Sequence, residues 1–166
     1  MKAGHLIIRE VAFVNKDLLI DSSFQYNDTN DSSTHKYLYN SNKQLIQEKF
    51  YGYTIAAGAK LFQKNDFTYD NNGNLNKEIE SDEFGKTNSI TTYLFNNVVA
   101  SVFTLSTAYY PVLFNNLPIS KTISYPSGNT TQTVNITYTF DNNHRITTET
   151  QSTSQSIKVI KKYFYE

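Results

Sequence analysis

The chain has 166 residues, with 15 basic and 15 acidic side chains and no cysteine or tryptophan. The absence of cysteine excludes disulfides and cysteine-based zinc sites, and a formal net charge of zero gives no long-range attraction to nucleic acid. No apolar run reaches the roughly 18 residues that a membrane helix needs, so we predict no membrane span and a single domain over residues 1–166.

A nine-residue motif recurs along the chain. It consists of two aromatic residues separated by one residue of any type, then Asp or Asn, three linker residues, a polar residue, and Leu or Ile. With 13 tyrosines and 11 phenylalanines, the composition favours strands. Full copies of the motif occupy 37–45, 67–75 and 138–146, and shorter variants begin at Tyr93 and Val112. The last residues, 163–166, resemble the first half of another copy.

The motif predicts a β-hairpin. Two aromatic side chains on the same face end the incoming strand, Asp or Asn caps the turn through its own backbone, and Asn or Gly takes the positive-φ position. Apolar residues also alternate with polar ones along 119–125, 133–141 and 157–163, as in half-buried strands. We therefore predict an all-β antiparallel hairpin meander of roughly ten to thirteen strands. Accumulated twist predicts a strongly curved or barrel-like sheet.

Residues 69–75, followed by 82–87 and 92–97, resemble the tyrosine-aspartate (YD, or RHS) repeat. Lys43 and His144 stand where that family prefers glycine. The resemblance implies hairpins packed side by side in a long sheet. It is closest to short bacterial proteins of unknown function that are secreted or anchored as surface lipoproteins. This implies an extracellular or cell-surface location for a mature form without a signal segment.

Asp70, Asn72 and Asn74 have the spacing with which a loop can direct oxygen ligands at calcium. Glycine, however, occupies the fourth position of this run rather than the sixth, and no glutamate occupies the twelfth. A hairpin turn without metal is the favoured interpretation.

Glu78, Glu80 and Asp82 fall at steps of two, so on a strand they would project from one face while Ile79 projects from the other. Paired carboxylates are the catalytic groups of glycosidases. A charged stripe that faces solvent is the favoured alternative, because acidic residues mostly lie outside.

Tyrosines outside the motif positions are candidate contacts for a ligand, because aromatic rings on a β-surface can stack on sugar rings. The four candidates are Tyr51, Tyr53, Tyr109 and Tyr110. Packing within the sheet is the alternative for each of them.

No nucleotide-binding glycine loop and no nucleophile elbow appears in the sequence. We therefore predict a non-enzymatic binding or interaction module without a cofactor, whose partner is a glycan or another surface protein and not nucleic acid. A scaffold or shell component that encloses a partner protein is the first alternative, and it predicts edge strands that pair with another chain. A glycan-acting enzyme is the second alternative.

Overall fold

The structure is a computed structural model that describes residues 8–27, 32–54, 58–99, 116–155 and 158–164. This part of the chain forms eleven strands, each antiparallel to its neighbours in the sequence and all in one sheet. The strands are β1 (Ile8–Val14), β2 (Ile20–Asn27), β3 (Ser32–Tyr39), β4 (Leu45–Thr54), β5 (Gly58–Tyr69), β6 (Leu75–Asp82), β7 (Thr87–Val99), β8 (Asn116–Tyr125), β9 (Thr130–Phe140), β10 (Ile146–Thr153) and β11 (Lys158–Lys162).

The predicted all-β antiparallel meander is confirmed, but the predicted strong curvature or barrel closure is wrong. The sheet is neither closed nor strongly curled. Closure requires the first and last strands to pair, whereas contacts among the described strands join only sequence neighbours. The physical reason is that large side chains cover their apolar neighbours within one layer, so burial there does not depend on the sheet folding back on itself.

One turn design recurs five times in the described residues. In each turn, the side-chain oxygen of the first residue accepts the backbone N–H groups two and four positions later. The first residues are Asn15, Asn40, Asp70, Asp82 and Asp141. The fourth residues have positive φ, and they are Leu18, Lys43, Gly73, Gly85 and His144. The prediction that Asn or Gly takes this position therefore holds for two of the five turns.

The final residue of each full motif is a core residue. Leu45, Leu75 and Ile146 are at most 2% exposed. One tyrosine of each full motif donates its hydroxyl to a backbone carbonyl of the preceding strand. The donor is the second aromatic residue in the first two copies, as when Tyr69 Oη bonds the carbonyl of Leu45 at 2.8 Å, and the first aromatic residue, Tyr138, in the third copy. Burial raises the pKa of the corresponding Tyr39 to about 12. The motif thus joins each hairpin to the one before it.

The two faces of the sheet follow from the register, because residues paired across neighbouring strands point to the same side. We call the side that carries Leu45 and Leu75 the core face and the other side the opposite face. On the C-terminal strands the opposite face is rich in threonine and serine, as the alternation predicts: Thr122 pairs with Thr133, and Ser124 with Thr131. On the N-terminal strands the opposite face has a different composition.

Candidate functional site

Aromatic side chains on the opposite face of β2 and β4 flank small residues on β3. In one row across the strands, Phe24 pairs with Thr34, which pairs with Tyr51. In the next row, Tyr26 pairs with Ser32, which pairs with Tyr53. We call these six residues the aromatic surface. Because neighbouring strands lie about 5 Å apart, its two aromatic edges are separated by roughly 10 Å.

The aromatic surface is accessible. Phe24, Tyr26 and Tyr53 are 36%, 37% and 46% exposed, respectively. The rings of Phe24 and Tyr26 stack with their centroids 5.8 Å apart. Ser32 and Thr34 place hydroxyl groups between the two aromatic edges. A ligand on this surface would therefore meet aromatic rings at both edges and hydroxyl groups between them.

A row of lysines borders the aromatic surface. Lys36, Lys49 and Lys64 are paired across β3, β4 and β5 on the same face. The Nζ of Lys36 lies 5.6 Å from the ring centroid of Tyr51, within cation–π range. This row makes one border of the aromatic surface cationic although the whole chain has no net charge.

One acidic residue reduces the charge at the end of this row. Lys64 forms a 2.7 Å ion pair with Asp66 on its own strand. Burial alone would raise the pKa of Asp66, but hydrogen bonds from Lys64 and Gln47 outweigh it and lower that pKa. Asp66 therefore stays ionised and offsets Lys64. Lys36 and Lys49, whose Cα atoms are paired between β3 and β4, lie nearest the aromatic rows.

Two of the four tyrosines predicted from the sequence, Tyr51 and Tyr53, belong to the aromatic surface. Tyr109 and Tyr110 lie outside the described residues. Sequence reasoning missed Phe24 and Tyr26. Their spacing of two was visible in the sequence, but the strand register that places them beside Tyr51 and Tyr53 was not.

The three residues of the calcium hypothesis lie in the β5–β6 turn, where the side-chain oxygens of Asp70 and Asn74 accept protein N–H groups. Asp70 Oδ1 accepts the backbone N–H groups of Asn72 and Asn74, each at 2.9 Å. The Oδ1 of Asn74 accepts the N–H of Asn116 at 2.7 Å. Burial alone would raise the pKa of Asp70, but hydrogen bonds from Asn74 and Asn72 outweigh it and lower that pKa. Calcium binding there stays a prediction, and it would require these donors to be displaced.

In the turns that begin at Asn40 and Asp70, the side chain of the fifth residue bonds a residue of a later hairpin. Gln44 donates its side-chain amide to the carbonyl of Gly73 at 3.3 Å. Asn74 donates its side-chain amide to Asn116 Oδ1 at 3.0 Å, which links the β5–β6 turn to the start of β8. These amides hold neighbouring hairpins together at one end of the sheet.

The predicted acidic stripe does not simply face solvent, so that expectation is wrong for Glu78. Glu78 pairs with the buried Phe67 and therefore lies on the core face, where it is partly buried. Burial raises the pKa of Glu78, the 3.4 Å hydrogen bond from Tyr93 lowers it, and the charges of Glu80 and Glu48 raise it further. The net shift is upward. Ile79 lies on the other face, as predicted.

We expect Glu78→Gln to stabilise the protein at pH 7. The folded pKa of Glu78 lies above its ordinary value of 4.5, so the fold disfavours the ionised form. The wild type therefore loses stability as the pH rises from below 4.5 through the folded pKa. Urea unfolding at several pH values should show an advantage of the variant that vanishes below about pH 4. The exposed control Asp17→Asn should change stability by no more than about 0.5 kcal/mol at each pH, and an equal effect of both would contradict this explanation.

In the ranges that the structure describes, no group of three or more histidines or carboxylates could hold a metal ion. The same ranges contain no helix that is long and apolar enough to cross a bilayer.

Comparison with known proteins identifies a fold but no family. No known protein family matches the chain, and no curated protein matches it either. Among solved structures, a porin-like protein from Bacteroides vulgatus is similar to this chain with a TM-score of 0.61. The superposition covers 99% of this chain and 86% of the porin-like protein. The two sequences are 11% identical, so the similarity concerns the fold alone.

Proposed function

We propose that this protein is a non-enzymatic binding module of the bacterial cell envelope and that its aromatic surface binds an acidic glycan. The observation that carries the proposal is the arrangement of two exposed aromatic edges beside a row of lysines. Aromatic faces stack on the apolar faces of sugar rings, and the hydroxyls of Ser32 and Thr34 suit sugar hydroxyls. Lys36 and Lys49 would attract carboxylate or phosphate groups.

The envelope location is supported by two independent similarities. The structural neighbour from Bacteroides vulgatus is described as porin-like. The turn motif resembles the YD repeat of secreted and lipid-anchored bacterial proteins. An acidic glycan suits this surface chemically, because its sugar rings can stack on the aromatic residues and its anionic groups can pair with the lysines.

The test compares an acidic with a neutral polysaccharide. Affinity electrophoresis through polygalacturonate should retard the wild type more than electrophoresis through dextran does. Aromatic side chains that stack on nucleic-acid bases contribute about 1–3 kcal/mol each. With a comparable contribution from sugar stacking, Tyr51→Ala with Tyr53→Ala should weaken binding at least tenfold. Lys36→Gln should weaken binding to polygalacturonate selectively, and added salt should do the same.

Phe84→Ala is the matched control, because Phe84 is an aromatic residue in the β6–β7 turn that is 84% exposed and lies away from the aromatic surface. It should leave binding unchanged. Equal retardation of all variants, or none for the wild type in either polysaccharide, would overturn the proposal.

A scaffold function is the second candidate. The observation that favours it is that, among the described residues, β1 pairs only with β2 and β11 only with β10. Such edges can extend a sheet into another chain. Under this function the wild type would assemble but would bind neither polysaccharide.

A further inference from the structure

The two edges of the sheet differ in charge. The β11 edge carries Lys158, Lys161 and Lys162, and all five residues of that strand are exposed. The β1 edge carries one basic and one acidic residue, Arg9 and Glu10. Both edges expose apolar side chains: Val11, Phe13 and Val14 on β1 are 45%, 55% and 60% accessible, and Val159 and Ile160 on β11 are 49% and 51% accessible. Lysines on an edge strand discourage pairing with another chain, whereas an exposed apolar edge strand invites it. The asymmetry points to β1 as the edge that pairs.

We propose that β1 pairs antiparallel with β1 of a second copy of this chain, about a two-fold axis perpendicular to the sheet. Such an interface uses the same strand twice and is closed. Each copy then presents its lysine-bearing β11 at the outer end, which prevents further growth into a fibre. The partner of β1 is a second copy of this chain, because β1 is self-complementary. Two β11 strands would instead repel each other through their lysines.

The register of this dimer follows from the sequence of β1. With Val11 opposite Val11, all seven residues of the strand pair, and Glu10 stands opposite Ala12. A register centred on Glu10 would place two acidic residues opposite each other, and one centred on Arg9 would place two basic residues opposite each other. Like charges in directly opposed positions destabilise a strand pair. A register centred on Ala12 would pair only five residues of the strand, whereas the one centred on Val11 pairs all seven and opposes no like charges, so Val11 is the centre of the interface.

The dimer would also extend the opposite face. Val11 pairs with Phe24, so it lies in the same row as Phe24 and Tyr51 of the aromatic surface. Pairing Val11 with its copy would align this row in both chains and bring two aromatic surfaces into one continuous sheet. The dimer does not depend on the glycan proposal, because it rests on the edges alone.

A single engineered cysteine tests the register directly, since the chain has none of its own. Directly paired residues have Cα atoms about 4.5–5.5 Å apart, within the range that a disulfide spans. Under mild oxidation, Val11→Cys should form a covalent dimer of twice 19.0 kDa on non-reducing gels. Val159→Cys, an equally exposed position on β11 (49%), should remain monomeric. Equal cross-linking of both variants would overturn the proposal.

The oligomeric state of the unmodified full chain provides the second measurement. Analytical ultracentrifugation should show a concentration-dependent dimer for the wild type and for Val159→Lys. Val11→Lys should shift the population to the monomer by at least tenfold in dissociation constant, because it places two cations at the centre of the interface. A wild type that stays monomeric at all concentrations, or a dimer that Val11→Lys leaves intact, would contradict the inference.

Discussion

We expect Leu45→Ala to lower the free energy of unfolding by about 2–5 kcal/mol, the range for removal of a fully buried leucine. Leu45 is 0% exposed and forms a cluster with Phe67 and Leu75. Tyr37, Tyr39, Tyr69 and Tyr93 are the partly buried residues packed against this cluster. These rings lie in the same layer of the sheet and are held by hydroxyl bonds such as that of Tyr69, so they cannot easily collapse into the cavity.

Urea unfolding followed by circular dichroism measures this loss. The control is Leu38→Ala on the neighbouring strand β3, where Leu38 lies on the opposite face and is 53% exposed. That substitution should change the free energy of unfolding by no more than about 0.5 kcal/mol. If the two variants were equally destabilised, the core would not lie on the face that carries Leu45.

We expect Asn74→Ala to lower the free energy of unfolding by about 1–3 kcal/mol. Asn74 is 1% exposed, and its amide bonds Asp70 and Asn116. The substitution also removes the acceptor that the N–H of Asn116 uses at 2.7 Å. The loss should be concentrated where β8 joins the sheet, so hydrogen exchange should accelerate at the start of β8 more than in β3.

Arg145→Ala is the matched control, because Arg145 holds the same fifth position in the β9–β10 turn. Its 2.7 Å contact with Asp141 is exposed, and solvent screens exposed ion pairs. The variant should therefore lose less stability than Asn74→Ala. A larger loss would show that the fifth position stabilises its own turn rather than the contact with the next hairpin.

The fold was largely predictable from local chemistry. The positions Asp70 and Asp141 form the predicted turns, and Leu45 and Leu75 are core residues. The turn at Asn15 was missed because Ala12 and Val14 stand where the motif has aromatic residues. The backbone geometry is nevertheless the same, since the Asn15 side chain caps that turn as Asp70 caps its own.

The candidate site was less predictable. Tyr51 and Tyr53 could be selected because they fall outside the motif, but Phe24 and Tyr26 are brought beside them only by strand register. Glu78 shows the same limit. Its spacing from Glu80 correctly indicated a shared face, yet spacing within one strand does not reveal whether that face is the buried one.

The sequence by itself determined that the chain folds as successive hairpins and placed the turns that begin at Asn40, Asp70 and Asp141, because alternation, turn caps and positive-φ positions act over a few residues. It was wrong about the turn expected after Phe95, since β7 (Thr87–Val99) continues through that position. Only the tertiary structure decided that the sheet stays open and which side of it is buried. The physical reason is that these properties depend on contacts between neighbouring hairpins, such as the bond from Tyr69 to Leu45 and the amide link from Asn74 to Asn116. Those contacts join residues that are 24 and 42 positions apart in the chain.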